Sequence, residues 1–365
     1  MRERPPAAFG GSPPLQGGEC NVPLAKGNGR ESGRGALTQS AALVKPQVMD
    51  KALLDDLLKG DTRALARVIT RVENHSAGSL EILRQLFPHT GHSRIIGVTG
   101  SPGSGKSSLV DRLAVAYRRN GKQLGIVAVD PSSPFTGGAI LGDRIRMQTL
   151  GLDPGVYIRS MATRGHLGGL APTTADVVTV LDAAGRNPVI VETVGVGQDE
   201  IEIVKLADVS LVVLVPGMGD DIQALKAGIM EIGDIFVINK CDRAGVEKMA
   251  RAVLAMLSLA HRSDGWSPTV VKTIATQGEG IDELVEEISR CQAFFEDSAL
   301  RAEKKRAGAR QRLLMLLEER LMDAAVREVF PNGELNKVVE QIAQRQQDPY
   351  SIVEKIISRS RFERY

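Results

Sequence analysis

Cysteine is scarce in this chain. Its three residues of that type among 365, Cys20, Cys241 and Cys291, lie far apart with neither CxxC nor Cys/His spacing. A disulfide framework and a structural zinc site are thereby excluded, and a reducing compartment fits. Charge of one sign is lacking too. The 46 Lys and Arg are almost matched by 44 Asp and Glu, for a formal net charge of +2. No global field gathers nucleic acid or an anionic membrane, so partners have to be read from local sites. No apolar run reaches the roughly 18 residues that span a bilayer, and the N-terminus has no secretory apolar core, so a cytoplasmic protein is expected. What is present is a 42% hydrophobic content, enough for a sizeable core in one large domain or two medium ones.

Composition divides the chain into four parts. Residues 1–47 hold many Gly and Pro and few apolar residues, which reads as a disordered tail. The tail is mildly Arg-rich and acid-poor, as a transit peptide would be, but its glycine content favours a plain tail. Residues 48–92 turn helical: Leu53, Leu54 and Leu57 recur at helical spacing, and Asp61 stands before Ala64, Val68 and Ile69 as an N-cap candidate. Pro88-His89-Thr90-Gly91-His92 reads as a hinge into the main domain, residues 93–290. Residues 291–365 form a charged helical arm with Leu313, Leu317 and Leu321 on one stripe and Val338, Val339 and Ile342 further on. Such an arm cannot bury itself alone; it packs on the domain or on a second copy.

Within 93–290, six short apolar, β-branched runs alternate with helical patterns, starting at Ile95, Gly125, Val189, Ser210, Ile235 and Val270. Continuous apolar runs are what a parallel sheet covered on both faces requires. The expected fold class is α/β: a mostly parallel sheet flanked by helices, with a helical segment before it and the arm behind.

Gly100-Ser101-Pro102-Gly103-Ser104-Gly105-Lys106-Ser107 matches GxxxxGK[ST], directly after the first strand run and before a helical pattern carrying Leu109, Val110 and Leu113. Glycines let successive N–H groups turn inward around a β-phosphate, and the helix N-terminus adds its positive end. Lys106 reaches β/γ oxygens, the Ser107 hydroxyl ligates Mg²⁺, and Ser108 extends the first turn. Asp130 and Glu192 end the second and third predicted strands, at the carboxyl edge where open α/β sheets bind ligands, and are candidate magnesium ligands. Glu192-Thr193-Val194-Gly195 has the form of a Walker B strand end followed by a γ-phosphate-sensing glycine, Gly195. Asn239-Lys240-Cys241-Asp242 matches NKxD. Asp242 can accept from guanine N1–H and the exocyclic amine together, a pairing that adenine does not offer. Asn239 bonds neighbouring backbone, and the Lys240 stem covers the base. Ala275-Thr276, after the last strand, resembles the loop that offers a backbone N–H to guanine O6. The order is that of a GTPase: phosphate, magnesium, γ-phosphate sensor, base.

The residues between these motifs are more specific. Asp130-Pro131-Ser132-Ser133-Pro134-Phe135-Thr136-Gly137-Gly138, Ser160-Met161-Ala162-Thr163-Arg164-Gly165-His166-Leu167-Gly168-Gly169, Glu192-Thr193-Val194-Gly195-Val196-Gly197-Gln198 and Pro216-Gly217-Met218-Gly219-Asp220-Asp221 resemble the MeaB/ArgK (MMAA-like) family of SIMIBI-class P-loop GTPases. The likeness runs from about Leu53 to the C-terminus. It implies a homodimer joined by the C-terminal arm, and a client: an adenosylcobalamin-dependent acyl-CoA mutase, most often methylmalonyl-CoA mutase. Loading or exchange of the client's B12 cofactor would be gated by nucleotide state, and the mutase would stimulate hydrolysis. The resemblance also adds Asp143 to the metal shell as a switch residue and makes the segment from Pro216 to about Lys226 a further switch. Gln198 is the candidate that orients the attacking water, with bracing of its loop as the plainer role. Arg144, Arg164 and His166 are candidates for γ-phosphate charge or partner contact. Ile274 departs from the pattern, where relatives often carry Ser.

Two other readings use the same fold. A metal-delivery GTPase would need clustered soft or imidazole ligands, whereas the five histidines are dispersed, with only His89 and His92 close together. A P-loop kinase acting on a protein fits the P-loop but not the guanine signature at 239–242.

Overall fold

Burial on both faces turns the apolar runs into one parallel sheet. The structure, a computed structural model, describes residues 51–130, 150–162, 171–193, 206–217, 233–259, 262, 264–296, 299–330 and 334–359. Seven strands are found among them: β1 (Ile95–Gly100), β2 (Leu124–Asp130), β3 (Val156–Ala162), β4 (Val189–Thr193), β5 (Val209–Leu214), β6 (Ile235–Ile238) and β7 (Thr269–Lys272). They lie in the order β3-β2-β4-β1-β5-β6-β7, and every pairing is parallel. Six coincide with the predicted runs. The seventh, β3, was not expected. It is an edge strand bonded to β2 alone, and its sequence Val-Tyr-Ile-Arg-Ser-Met-Ala lacks the continuous apolar run of a central strand.

Successive strand residues point to opposite faces, and the helices sort accordingly. On one face, Ile96, Val98, Ile126, Ile190, Leu211, Val213 and Val237 pack in one buried cluster with α4 (Lys106–Arg119) and α7 (Ile281–Glu296). On the other, Val127, Val129, Val189 and Val191 meet α5 (Ala171–Ala183) and the N-terminal helices α1 (Lys51–Leu58), α2 (Thr62–Glu73) and α3 (Ser79–Leu86). Further along that second face, Val212, Leu214, Phe236 and Ile238 meet α6 (Val246–Leu259). Helices thus cover both sides of the sheet, as a parallel sheet requires.

The N-terminal helices share this core. Leu57, Leu65, Val68, Ile69 and Leu86 are buried in the cluster that holds α5, and Asp61 caps α2 by accepting from the Ala64 N–H at 2.7 Å. The predicted hinge is fastened down. Asp182 near the end of α5 accepts from the amides of Gly91 (2.5 Å), His92 (3.2 Å) and Ser93 (2.8 Å). Asn187 accepts from the Arg94 amide at 3.1 Å and donates to the His92 carbonyl at 3.2 Å. One carboxylate satisfying three consecutive N–H groups leaves this segment little freedom.

Three helices follow α7: α8 (Ala299–Val329), α9 (Glu334–Ala343) and α10 (Pro349–Arg359). Arg312 of α8 forms an ion pair with Asp176 of α5. The predicted stripe is only partly covered, Leu313 and Leu317 being 65% and 49% exposed. Among the described residues no helix is long and apolar enough to cross a membrane.

Candidate functional site

The carboxyl ends of β1, β4 and β6 gather the motif residues. β1 runs into Gly100 at φ +142°, where a Cβ would stand 2.2 Å from the Val213 carbonyl oxygen of β5. Gly105, at φ +89°, sits just before α4, and a Cβ there would lie 2.4 Å from Asn239 Nδ2. Neither position has room for a side chain, and both φ values lie in the region that favours glycine. Between them Ser101, Pro102, Gly103 and Ser104 make a turn, with the Ser104 amide donating to the Ser101 carbonyl at 3.1 Å. Lys106 opens α4 and is buried; its Nζ donates to the carbonyls of Gly100 at 2.6 Å and Ser101 at 3.1 Å. The ammonium therefore lies over the loop, which leads into the first turn of α4, where N–H groups have no partner within the helix. A helix N-terminus behind a glycine-rich turn and a buried cation suit a polyphosphate.

β4 carries Glu192 opposite Val98 of β1 and Ala128 of β2. Its side chain is buried, and Oε1 accepts from the Ser107 hydroxyl at 2.7 Å. A hydroxyl and a carboxylate at hydrogen-bonding distance form a hard oxygen pair of the kind magnesium takes, so this part of the predicted metal shell fits that ion. Asp130 ends β2 next to Ala162 of β3; its side chain, together with Asp143, Gly195, Gln198, Arg144, Arg164 and His166, lies outside the described residues. One turn beyond Ser107, burial pushes the Asp111 carboxyl up from its ordinary range, an effect that neighbouring Arg112 opposes.

β6 delivers Asn239, which is buried and ties three segments together. Its Nδ2 donates to the Ser104 carbonyl at 2.9 Å, while Oδ1 accepts from the Thr273 hydroxyl at 3.2 Å and the Ala275 amide at 3.1 Å. Lys240, at φ +57°, donates from Nζ to the Gly103 carbonyl at 2.7 Å. The phosphate loop and the base-reading motif, about 135 residues apart in sequence, are thereby one hydrogen-bonded unit. Asp242 stands exposed beyond them, and Cys241 between the two bonds the Ile238 carbonyl at 3.0 Å, its thiol pushed up by burial. Ala275 is buried and Thr276 exposed. Arg112 was not singled out from sequence, yet it donates from Nε to the Ala275 carbonyl and from Nη2 to the Thr276 carbonyl, both at 3.1 Å. A lone arginine on a helix face carries no signal for such a contact.

A seven-stranded parallel sheet with a GxxxxGK[ST] turn after β1 and NKxD after β6 defines a P-loop GTPase of the α/β class. Family comparison makes this particular: residues 65–329 match the family described as methylmalonyl-CoA mutase-associated GTPase MeaB, and the chain belongs to that family. It is 47% identical over 308 residues to a Pyrococcus abyssi protein, covering 84% of this chain and 95% of that one. It is 31% identical over 313 residues to the mouse methylmalonic aciduria type A homolog, mitochondrial, covering 79% of this chain and 75% of that one. Among solved structures, one titled LAO/AO transport system kinase superposes with a TM-score of 0.64 at 24% identity, covering 85% of this chain and 98% of the other; that likeness bears on the fold alone.

Proposed function

We propose that this GTPase serves as a chaperone of an adenosylcobalamin-dependent acyl-CoA mutase, most simply methylmalonyl-CoA mutase, gating loading of the B12 cofactor and protecting or reactivating the enzyme. The observation that carries the reading is the family match over residues 65–329. The union of phosphate loop and NKxD loop through Asn239 and Lys240 supports the nucleotide.

In this reading Gly100, Ser101, Pro102, Gly103, Ser104, Gly105, Lys106, Ser107 and Ser108 hold the phosphates and Gly195 meets the γ-phosphate. Asn239, Lys240, Asp242, Ala275 and Thr276 read guanine. Ser107, Glu192, Asp130 and Asp143 would hold Mg²⁺, which would neutralise charge on the β- and γ-phosphates. Hydrolysis is phosphoryl transfer to water, so the protein's part is positioning and charge stabilisation. Lys106 swings from the Gly100 and Ser101 carbonyls to the phosphate oxygens, exchanging two neutral acceptors for charged ones, which bind an ammonium more strongly. The Ser107 hydroxyl would give up its bond with Glu192 to help hold the magnesium. Gln198 orients the attacking water. Turnover is slow alone and rises when the mutase repositions the switch segments, which makes nucleotide state and mutase binding reciprocal. A homodimer, joined where Leu313 and Leu317 stand exposed on α8, completes the proposal, in a cytoplasm that keeps the cysteines reduced.

The test is GTP turnover of the purified protein with and without methylmalonyl-CoA mutase, with ATP and an Asp242→Asn variant as controls. Slow GTP hydrolysis that rises with mutase, and fails with ATP, supports the proposal. Indifference to the mutase sinks the chaperone assignment, and phosphate transferred to an added protein would point to a kinase.

A further inference from the structure

The helix that follows the phosphate loop is tied to the guanine loop as well, through Arg112. Arg112 lies six residues beyond Lys106 on α4, about 9 Å further along the axis at 1.5 Å per residue. Its planar guanidinium spans two consecutive carbonyls, Ala275 through Nε and Thr276 through Nη2, each at 3.1 Å. We propose that Arg112 is a positioning residue for guanine recognition, orienting the amide edge of the 275–277 turn toward the purine O6. The inference rests on the guanine-binding reading above and deepens it.

Peptide geometry carries the step. A trans peptide is planar with C=O and N–H on opposite sides, so fixing the Ala275 carbonyl toward α4 aims the Thr276 N–H the other way. The neighbouring amides are already engaged: that of Ala275 by Asn239 Oδ1 at 3.1 Å, and that of Gln277 by the Ile274 carbonyl at 2.9 Å. Among the described residues the Thr276 amide has no acceptor. The turn is closed behind it by the Ile274–Glu279 bridge, with N to O at 3.1 Å. A bidentate, planar donor sets the tilt of two successive peptides at once, which an ammonium on a flexible stem does not do. The position of this loop therefore follows α4, the helix whose first turn holds the phosphates, and base and phosphate contacts share one rigid body.

Calorimetric titration of GDP, IDP and 6-thio-GDP into the full chain and into Arg112→Ala, Arg112→Lys and Asp242→Asn variants tests this, with apo melting temperature as the folding control. IDP keeps O6 and lacks the 2-amine; 6-thio-GDP keeps the amine and replaces O6 with a poor acceptor. Arg112→Ala is expected to weaken GDP and IDP alike by about tenfold, the effect of one well-placed hydrogen bond, and to weaken 6-thio-GDP far less. Arg112→Lys should recover only part of the loss. If Arg112→Ala fails to fold, the lysine variant is compared across the same three ligands. GDP binding within about twofold of the parent, or an equal loss for 6-thio-GDP, overturns the inference. Failure of the underlying reading would look different: Asp242→Asn would leave the preference for GDP over IDP intact.

Discussion

Gly105 has two jobs at one atom. It holds a left-handed backbone just before α4, and its missing Cβ leaves space for Asn239 Nδ2. Gly105→Ala would pay about 1–2 kcal/mol for that conformation and would also push Asn239 off the Ser104 carbonyl. We expect an unfolding free energy from urea titration lowered by that order and fluorescent GDP binding weakened beyond tenfold; a variant with parental affinity would show that the Asn239 contact does not shape the site. At this scale the sequence was an uneven guide. Spacing alone identified the residues that the fold brings together at the phosphate and base loops, because glycines and a lysine in fixed order answer to polyphosphate geometry. It was silent on Arg112, whose acceptors are backbone carbonyls some 163 residues away, contacts that leave no trace in side-chain identity.

Helix α5 fastens two parts of the chain that sequence patterning treats as separate. Near its middle Asp176 pairs with Arg312 of the arm; near its end Asp182 takes the three amides of Gly91, His92 and Ser93. Asp182→Ala would strand those donors, two of them exposed and able to turn to water, so a loss of about 2 kcal/mol is expected. Hydrogen exchange should show faster exchange at residues 91–93 than in the parent, and unchanged rates there would refute the clamp. Proline and glycine in Pro88–His92 had suggested a hinge, since local propensity sees the permissive backbone and not the distant carboxylate. The strand β3 escaped for a related reason. Its edge position tolerates Arg159, which reaches Glu73 of α2, so the continuous apolar run that marked the other six strands is interrupted.

For the molecule as a whole, assembly turns on α8. Leu313, Leu314, Leu317 and Leu321 share one face of the helix and stand between 37% and 65% exposed, a face that a second copy would cover. Replacing Leu313 and Leu317 together by Glu should convert a dimer to a monomer in light scattering while leaving the melting of the sheet domain unchanged. A parent that is already monomeric at micromolar concentration would refute the dimer.

The strand order also sets a timetable for synthesis. β1 carries the phosphate loop, yet its two partners are β4, beginning at Val189, and β5, beginning at Val209. The apolar faces of α1–α3 likewise wait for α5 at Ala171–Ala183. At about 5–20 residues per second on the ribosome, the first half of the domain spends several seconds without its neighbours, its loop closed only when the chain has grown past β5. Slow, non-local pairing of this kind exposes nascent chain to premature association. Nucleotide capacity is therefore acquired late and all at once, after most of the domain has left the ribosome.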